Sequence, residues 1–207
     1  MGQDRVFPDL SGSRSVSLHI LHVLRHVDTS RQSPSVAGRL AQLDELTLRS
    51  FPEKVEQALG PDHPELAKVL HRLAVLYHSR DDLEKAEFLY RRALDTAERV
   101  FSKSNPELGL IMNNLGRVLQ SRKKYPEAES LYQRSLAVLE QTLGAEHPRL
   151  ATPLSNVASL YWEQGIRAEA ERLYNNSIAI LEEALGSEHP KVIKARKKLD
   201  SMRQRIS

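Results

Sequence analysis

Histidine is the residue type in this chain whose spacing could support metal chemistry. His19, His22 and His26 would share one face of a helix, with the Asp28 carboxylate nearby, and imidazole and carboxylate groups are common metal ligands. A short segment with neutral, solvated histidines explains the same pattern more simply, and we adopt that interpretation. Three other histidines, His63, His147 and His189, recur in one repeated phrase. Packed helices would separate them too widely to share one metal, so we predict that they cap turns.

Motifs for catalysis are missing from the sequence. It contains no Gly-Lys-Ser/Thr phosphate loop, no His-Glu-x-x-His pair and no serine in a nucleophile elbow. The chain also has no cysteine, which excludes thiolate zinc sites and cysteine nucleophiles. We therefore predict no catalytic residue, no metal site and no cofactor, and a protein that is not an enzyme.

Charge is distributed unevenly along the 207 residues, whose formal net charge is +3. Residues 61–189 have a net charge of −3, whereas residues 190–207 carry seven cationic residues and one acidic residue. The negative net charge of residues 61–189 argues against a nucleic-acid-binding surface over that region. No apolar run approaches the roughly 20 residues that cross a bilayer, and Asp4 and Asp9 do not fit a secretory signal. We predict no membrane span and a cytoplasmic location, with the nucleus as second choice.

A repeat of 42 residues dominates the sequence. Pro64, Pro106, Pro148 and Pro190 are each 42 positions apart, and three of them end a Leu-Gly-x-x-His-Pro phrase. This phrase favours the end of one helix at the glycine and the start of the next at the proline. A fixed period of this size is typical of stacked two-helix units. We divide the region 64–190 into three repeats, which span residues 64–105, 106–147 and 148–189.

Each repeat shows the pattern of two amphipathic helices. The first helix has apolar residues at the i, i+4, i+7, i+8 and i+11 positions, which in the first repeat are Leu66, Leu70, Leu73, Ala74 and Tyr77. The second helix has small residues on either side of a tyrosine, and the three sets are Ala86, Tyr90 and Ala93; Ala128, Tyr132 and Ser135; and Ala170, Tyr174 and Ser177. Small residues there would allow two helices to approach closely.

These motifs resemble the tetratricopeptide repeat. The eight residues beyond the usual 34 fall in the second helix, which we expect to be about two turns longer. The 42-residue length, the Asn-Asn-Leu sequence at residues 113–115 and the Leu-Gly-x-x-His-Pro phrase resemble the repeats of kinesin light chains and related adaptors. The resemblance implies an all-α, right-handed solenoid of antiparallel helix pairs. It also implies a non-catalytic interaction module and a cytoskeleton-associated location.

The two ends differ from the repeats. We predict that residues 1–35 are disordered apart from a short helix, and that residues 36–63 form an N-terminal capping helix kinked or split at Pro52. Residues 191–207 continue the repeat frame as a basic C-terminal capping helix. Asp200 and Arg203 replace the apolar residues of earlier repeats, so its outer face is polar.

One face of each first helix lies opposite the apolar stripe, and the resemblance implies that this face lines a concave groove. It offers cations, amides and a few apolar groups, which together suit an extended acidic or acidic-aromatic peptide. The predicted groove residues are Lys68, Arg72, Leu110, Asn113, Asn114, Arg117, Ser155, Asn156, Ser159 and Trp162.

We therefore predict an adaptor that binds a protein or peptide partner as a monomer, with kinesin-light-chain-like cargo recognition as one use. A scaffold that uses its convex face is one alternative. A nuclear or RNA-associated factor that acts through the basic tail is another, although the tail contains no aromatic residue for base stacking.

Overall fold

A computed structural model of the chain describes residues 45–204, and the side chains of residues 50–204. Eight α-helices and one short 3₁₀ helix occur in this range. The chain divides into two compact units, Met1–Gly60 and Pro61–Ser207.

The first unit contributes one described helix, α1 (Glu45–Leu59). Of the two predicted outcomes at Pro52, a kink or a split, the split is wrong, because the helix continues through that residue. A proline removes a single backbone donor, and the remaining bonds of a 15-residue helix tolerate this local loss. The predictions for residues 1–35, including the face formed by His19, His22 and His26, lie outside the described residues.

The second unit consists of three helix pairs and a final helix. They are α2 (Pro64–Ser79), α3 (Leu83–Val100), α4 (Pro106–Ser121), α5 (Tyr125–Leu143), α6 (Ala151–Glu163), α7 (Arg167–Leu185) and α8 (Pro190–Gln204). Within each pair the two helices pack together most extensively, and each second helix also packs against the first helix of the next pair. The first helices α2, α4 and α6 contact one another in order. The second helices are 18 or 19 residues long, as the longer repeat predicts.

Side chains cap the start of each repeat. The Nδ1 atoms of His63, His147 and His189 accept hydrogen bonds from the backbone N–H two residues ahead, at 3.1–3.2 Å. Asn105 Oδ1 accepts the equivalent bond at 2.9 Å. These bonds satisfy donors that a helix N-terminus leaves free, and they confirm the predicted capping role of the histidines.

The third repeat begins differently from the other two. A 3₁₀ turn over Pro148–Leu150 precedes α6, and the Ala151 N–H bonds to the Pro148 carbonyl. The reason is Pro153, which is buried in α6 and has no N–H to donate to the preceding turn. The first turn therefore tightens into the 3₁₀ form.

The predicted interior of the repeats is buried. The small residues and tyrosines of the second helices are at most 2 % exposed. In the second repeat the Tyr132 ring packs so closely on Gly116 that an added Cβ would lie 2.7 Å from its Cε1 atom. The buried Ser135 hydroxyl donates to the Gly109 carbonyl at 2.6 Å, and Ser177 makes the equivalent bond to Ala151 at 2.7 Å. Glycine and serine thus bring the paired helices together without leaving these hydroxyls unpaired.

Each second helix carries a glutamate at the same position of the repeat, and this glutamate contacts the element that follows the helix pair. The contacts are Glu87 with Arg122 and Lys124 at 2.9 and 2.8 Å, Glu129 with the Tyr161 hydroxyl at 2.8 Å, and Glu171 with Arg203 at 3.1 Å. The three acids are each 42 residues apart. Arg203, predicted only as part of a polar outer face, therefore also connects α8 to α7.

Candidate functional site

Two hydrogen bonds join the first helices on the side that carries the predicted groove residues. Asn114 Nδ2 lies 2.9 Å from His71 Nε2, and Asn156 Nδ2 donates to Asn113 Oδ1 at 2.9 Å. Each bond joins residues 43 positions apart, and we call these two bonds the cross-repeat ladder. The ladder links α2 to α4 and α4 to α6, so it fixes the side chains that lie on this face.

His71 takes part in this ladder as a neutral ring. Burial, with a smaller contribution from the positive charge of Arg72, lowers the pKa of His71 to about 4. The ring is therefore uncharged at neutral pH, and Nε2 can accept a hydrogen bond from Asn114. Neither the repeat pattern nor the groove prediction indicates this role, because His71 has no histidine counterpart in the next two repeats.

The structure places the three predicted asparagines unequally. Asn113 is only 4 % exposed and lies within the contact between α4 and α6. Asn114 and Asn156 are half-buried and use their Nδ2 atoms in the ladder. Their Oδ1 atoms have no hydrogen-bond partner among the described residues. We therefore keep Asn114 and Asn156 in the peptide-binding prediction and assign Asn113 to the support of Asn156.

The two predicted arginines lie on neighbouring first helices. Arg72 on α2 is half-buried and Arg117 on α4 is exposed. Within residues 50–204 neither guanidinium forms an ion pair. The charge of Arg117 acts on α2, because burial lowers the pKa of His78 and Arg117 lowers it further. These arginines are the available cationic groups of the face, whereas Lys68 is paired with Glu65 at 2.5 Å.

The remaining predicted residues are polar or apolar groups of intermediate exposure. They are Leu110, Ser155, Ser159 and Trp162. Ser155 donates to the Thr152 carbonyl at 3.0 Å, and the Arg167 guanidinium lies 6.0 Å from the centre of the Trp162 ring. Val75, an apolar residue of the same side of α2, is 40 % exposed. We define the surface of α2, α4 and α6 that carries Val75 and the ten predicted residues as the first-helix face.

The tyrosines beneath this face differ between the second and third repeats. The Tyr132 hydroxyl donates to Gln120 Oε1 at 2.9 Å, and Gln120 also donates to Glu163 at 2.7 Å. The Tyr174 hydroxyl is buried and has no hydrogen-bond partner among the described residues. Trp162 stands 42 positions after Gln120, and its indole has no acceptor to offer.

This difference predicts that replacing tyrosine by phenylalanine changes the free energy of unfolding differently at the two positions. Tyr132→Phe should lower the free energy of unfolding by about 1 kcal/mol, because Gln120 loses a partner. Tyr174→Phe should leave the stability unchanged or raise it, since the substitution removes only an unpaired hydroxyl. Urea denaturation followed by circular dichroism measures both. A larger loss in Tyr174→Phe than in Tyr132→Phe would contradict the assignment.

A depression of about 560 Å³ lies between α3 and α5. Its apolar lining comes from Leu94, Leu115 and Leu131. Ion pairs cross its rim, joining Arg91 to Glu127 at 2.7 Å and Arg134 to Glu98 at 2.6 Å. Because these charges already neutralise each other, the depression offers less to a charged partner than the first-helix face does.

Comparison with known proteins identifies the repeats. A family model described as the tetratricopeptide repeat matches residues 53–99 and 107–183, which is more than half of the chain. The chain belongs to the tetratricopeptide repeat family. This fold supports a protein–protein interaction module, and the first helices of its repeats are the elements that carry the cross-repeat ladder described above.

Solved structures with tetratricopeptide-like repeats have the same fold. A candidate kinesin light chain from Podosopora anserina with nearly identical TPR-like repeats has 21% sequence identity and a TM-score of 0.65, with coverage of 96% of this chain and 88% of that chain. BtubC (BKLC) from P. vanneervenii has 21% identity and a TM-score of 0.63, with coverage of 93% and 87%. The described repeats of this chain therefore share the fold of these kinesin-light-chain-like repeats. A search of curated proteins finds no significant match.

Two further observations concern the described residues alone. No helix among them is both long and apolar enough to cross a membrane. Within the same residues, no group of three or more histidine and acidic side chains is arranged to hold a metal ion.

Proposed function

We propose that this tetratricopeptide repeat protein binds an extended acidic peptide along the first-helix face. The observation that carries the proposal is the pair of arginines, Arg72 and Arg117, neither of which is in an ion pair within the described part of the chain. A guanidinium can donate two hydrogen bonds to one carboxylate, which favours acidic side chains in the ligand.

Other groups on this face suit the rest of an extended peptide. The Oδ1 atoms of Asn114 and Asn156 are acceptors for backbone N–H groups of the ligand. Val75 and Trp162 provide apolar contacts on either side of the polar centre, and tryptophan is common among residues that dominate binding. Recognition of a protein cargo, as the kinesin-light-chain-like repeat type suggests, is one use that such a site would serve.

A charge-reversal experiment tests this function. Peptides selected from a random display library on the wild-type protein should be enriched in Asp and Glu. The Arg72→Glu and Arg117→Glu double variant should lose binding by calorimetry, and each single Arg→Ala change should weaken affinity by about 5- to 30-fold, or 1–2 kcal/mol. Raised salt should weaken binding mainly through the association rate.

A charge-matched control separates a local effect from a general one. Lys103→Glu with Arg149→Glu changes the net charge equally at exposed positions, one in the turn before α4 and one in the 3₁₀ turn before α6. This control should bind like the wild type. Equal loss in both double variants, or no loss in the Arg72→Glu and Arg117→Glu variant, would refute the proposed site and favour the convex face or the basic tail. Circular dichroism should show that helicity is unchanged in every variant.

A further inference from the structure

The cationic residues of α8 divide into two groups. Arg196 pairs with Glu182 at 2.7 Å and Arg203 pairs with Glu171 at 3.1 Å, so both arginines bind α8 to α7. The four lysines, Lys191, Lys194, Lys197 and Lys198, are all exposed. Within the described residues, no lysine of α8 is in an ion pair. The helix therefore pairs its two arginines with acidic residues of α7 and leaves its four lysines without an ion pair.

The two groups lie on opposite sides of the helix. At about 100° per residue, the four lysines fall within an arc of roughly 120°. The two arginines and the buried residues Val192 and Leu199 fall on the other side. We call the arc formed by Lys191, Lys194, Lys197 and Lys198 the lysine face. Its lack of ion-pair partners follows from this geometry, because the acidic residues of α7 that α8 contacts lie on the opposite side of the helix.

The repeat register places the lysine face beside the first-helix face. Lys197 and Lys198 stand 42 residues after Ser155 and Asn156. Asn156 occupies the position from which a side chain bonds back to the preceding first helix. Lys198 occupies the same position on α8, and its Nζ atom lies 5.2 Å from the centre of the Tyr174 ring. The lysine face thus continues the first-helix face beyond α6.

We propose that the lysine face binds a second acidic cluster of the same extended peptide, an inference that rests on the proposed function. At a spacing of about 10 Å for each step from one first helix to the next, the repeat register places α8 roughly 20 Å from Arg117 on α4. An extended chain advances about 3.3 Å per residue. The second cluster is therefore separated by about six residues from the acidic residues that contact Arg117.

The chemistry of lysine favours several carboxylates over one. An ammonium group is a compact charge on a flexible stem and does not form the two-bond fork of a guanidinium. A set of neighbouring lysines therefore gains most from a run of acidic residues. Joining the second cluster to the first by a short linker also raises its effective concentration at the lysine face.

Synthetic peptides test the inference on the full chain by fluorescence anisotropy. One probe peptide carries a single run of glutamates. Two further probes carry a second run of glutamates, placed about six residues before the first run in one and about six residues after it in the other. In the control peptide for each two-cluster probe, a neutral run of glutamines replaces the second run. One of the two-cluster probes should bind the wild type at least about tenfold more tightly than its control peptide. Lys194→Gln with Lys197→Gln should abolish this gain and leave single-cluster binding unchanged. Lys103→Gln with Arg149→Gln, which removes the same charge elsewhere, should retain the gain.

The outcomes separate this inference from the proposed function. If the single-cluster peptide fails to bind, or binds the Arg72→Glu and Arg117→Glu variant equally well, the proposed function fails and the extension fails with it. If it binds normally but neither second cluster improves affinity by twofold, the lysine face has no role in peptide binding. Lysine-dependent binding of poly-uridine RNA or phosphatidylserine vesicles, without a gain for either two-cluster peptide, would overturn the inference in favour of that ligand class.

Discussion

Replacing Tyr132 by alanine should lower the free energy of unfolding by about 3–5 kcal/mol. The side chain is fully buried, its ring packs directly on Gly116, and its hydroxyl donates to Gln120. The loss of these contacts leaves a cavity in the middle repeat. In a solenoid each repeat is stabilised mainly by its neighbours, so this cavity weakens both junctions of the array.

Urea denaturation followed by helical circular dichroism measures this loss. Tyr125→Ala is the matched control, because Tyr125 begins the same helix but is only partly buried. We expect its cost to be about 1 kcal/mol or less. Similar stability of the two variants would show that Tyr132 is not a central packing residue. A transition that separates into two steps in Tyr132→Ala would indicate that the outer repeats then unfold independently.

Replacing Glu87 by glutamine should cost about 2 kcal/mol at neutral pH. The Glu87 side chain is 9% exposed and is surrounded by Arg91, Arg122 and Lys124 at 2.8–2.9 Å. Breaking a buried ion pair costs about 3–5 kcal/mol and a surface pair about 0–1 kcal/mol. The expected value lies between these limits because the three cations remain 32–48% exposed. Glu84→Gln, at an exposed position of the same helix, should change stability by less than about 0.5 kcal/mol.

The cost of Glu87→Gln should depend on pH. Burial alone would raise the pKa of Glu87, but hydrogen bonds from Lys124 and Arg91 and the charges of Lys124 and Arg122 outweigh it and lower the pKa. A carboxyl group with a lowered pKa stabilises the folded state above its unfolded pKa of about 4.3, and this stabilisation is lost as pH falls through the folded value. The difference between wild type and variant should therefore shrink in acid. A difference that stays constant down to about pH 2 would contradict this role.

The sequence predicts the fold here to an unusual degree because the same pattern occurs three times. The 42-residue spacing of the prolines, the apolar stripes and the small residues beside Tyr90, Tyr132 and Tyr174 together identify the helix pairs and their contacts. The structural features that the repeat pattern does not predict arise where a single residue departs from that pattern. The 3₁₀ turn before α6 arises from Pro153, which has no equivalent in the other repeats.

The candidate site was predictable as a face but not as a set of available groups. Spacing places Asn113 and Asn114 together on the side opposite the apolar stripe, yet only the structure distinguishes the buried Asn113 from the half-buried Asn114. Bonds such as Asn156 to Asn113 depend on the offset between neighbouring helices, which is set by packing in three dimensions. The same holds for the arginines and lysines of α8, since their separation requires knowledge of which acids lie on α7.

The cross-repeat ladder also bears on how the molecule could be lengthened. Each bond joins a residue of one 42-residue repeat to the residue one position further on in the next repeat. Two copies of the same repeat can therefore form this bond when the repeat carries hydrogen-bonding side chains at both of these adjacent positions. The repeat 106–147 does so, because Asn113 and Asn114 are both amides. A tandem copy of this repeat would place the Asn114 of one copy opposite the Asn113 of the other.

The ionic contacts between repeats would also recur in a tandem copy. Glu129 corresponds to Glu87 and would face Arg122 and Lys124 of the copy, as Glu87 faces the originals. The N-terminal and C-terminal interfaces of the middle repeat are therefore complementary to each other. Further copies of this repeat could be inserted in tandem without the design of a new interface between repeats.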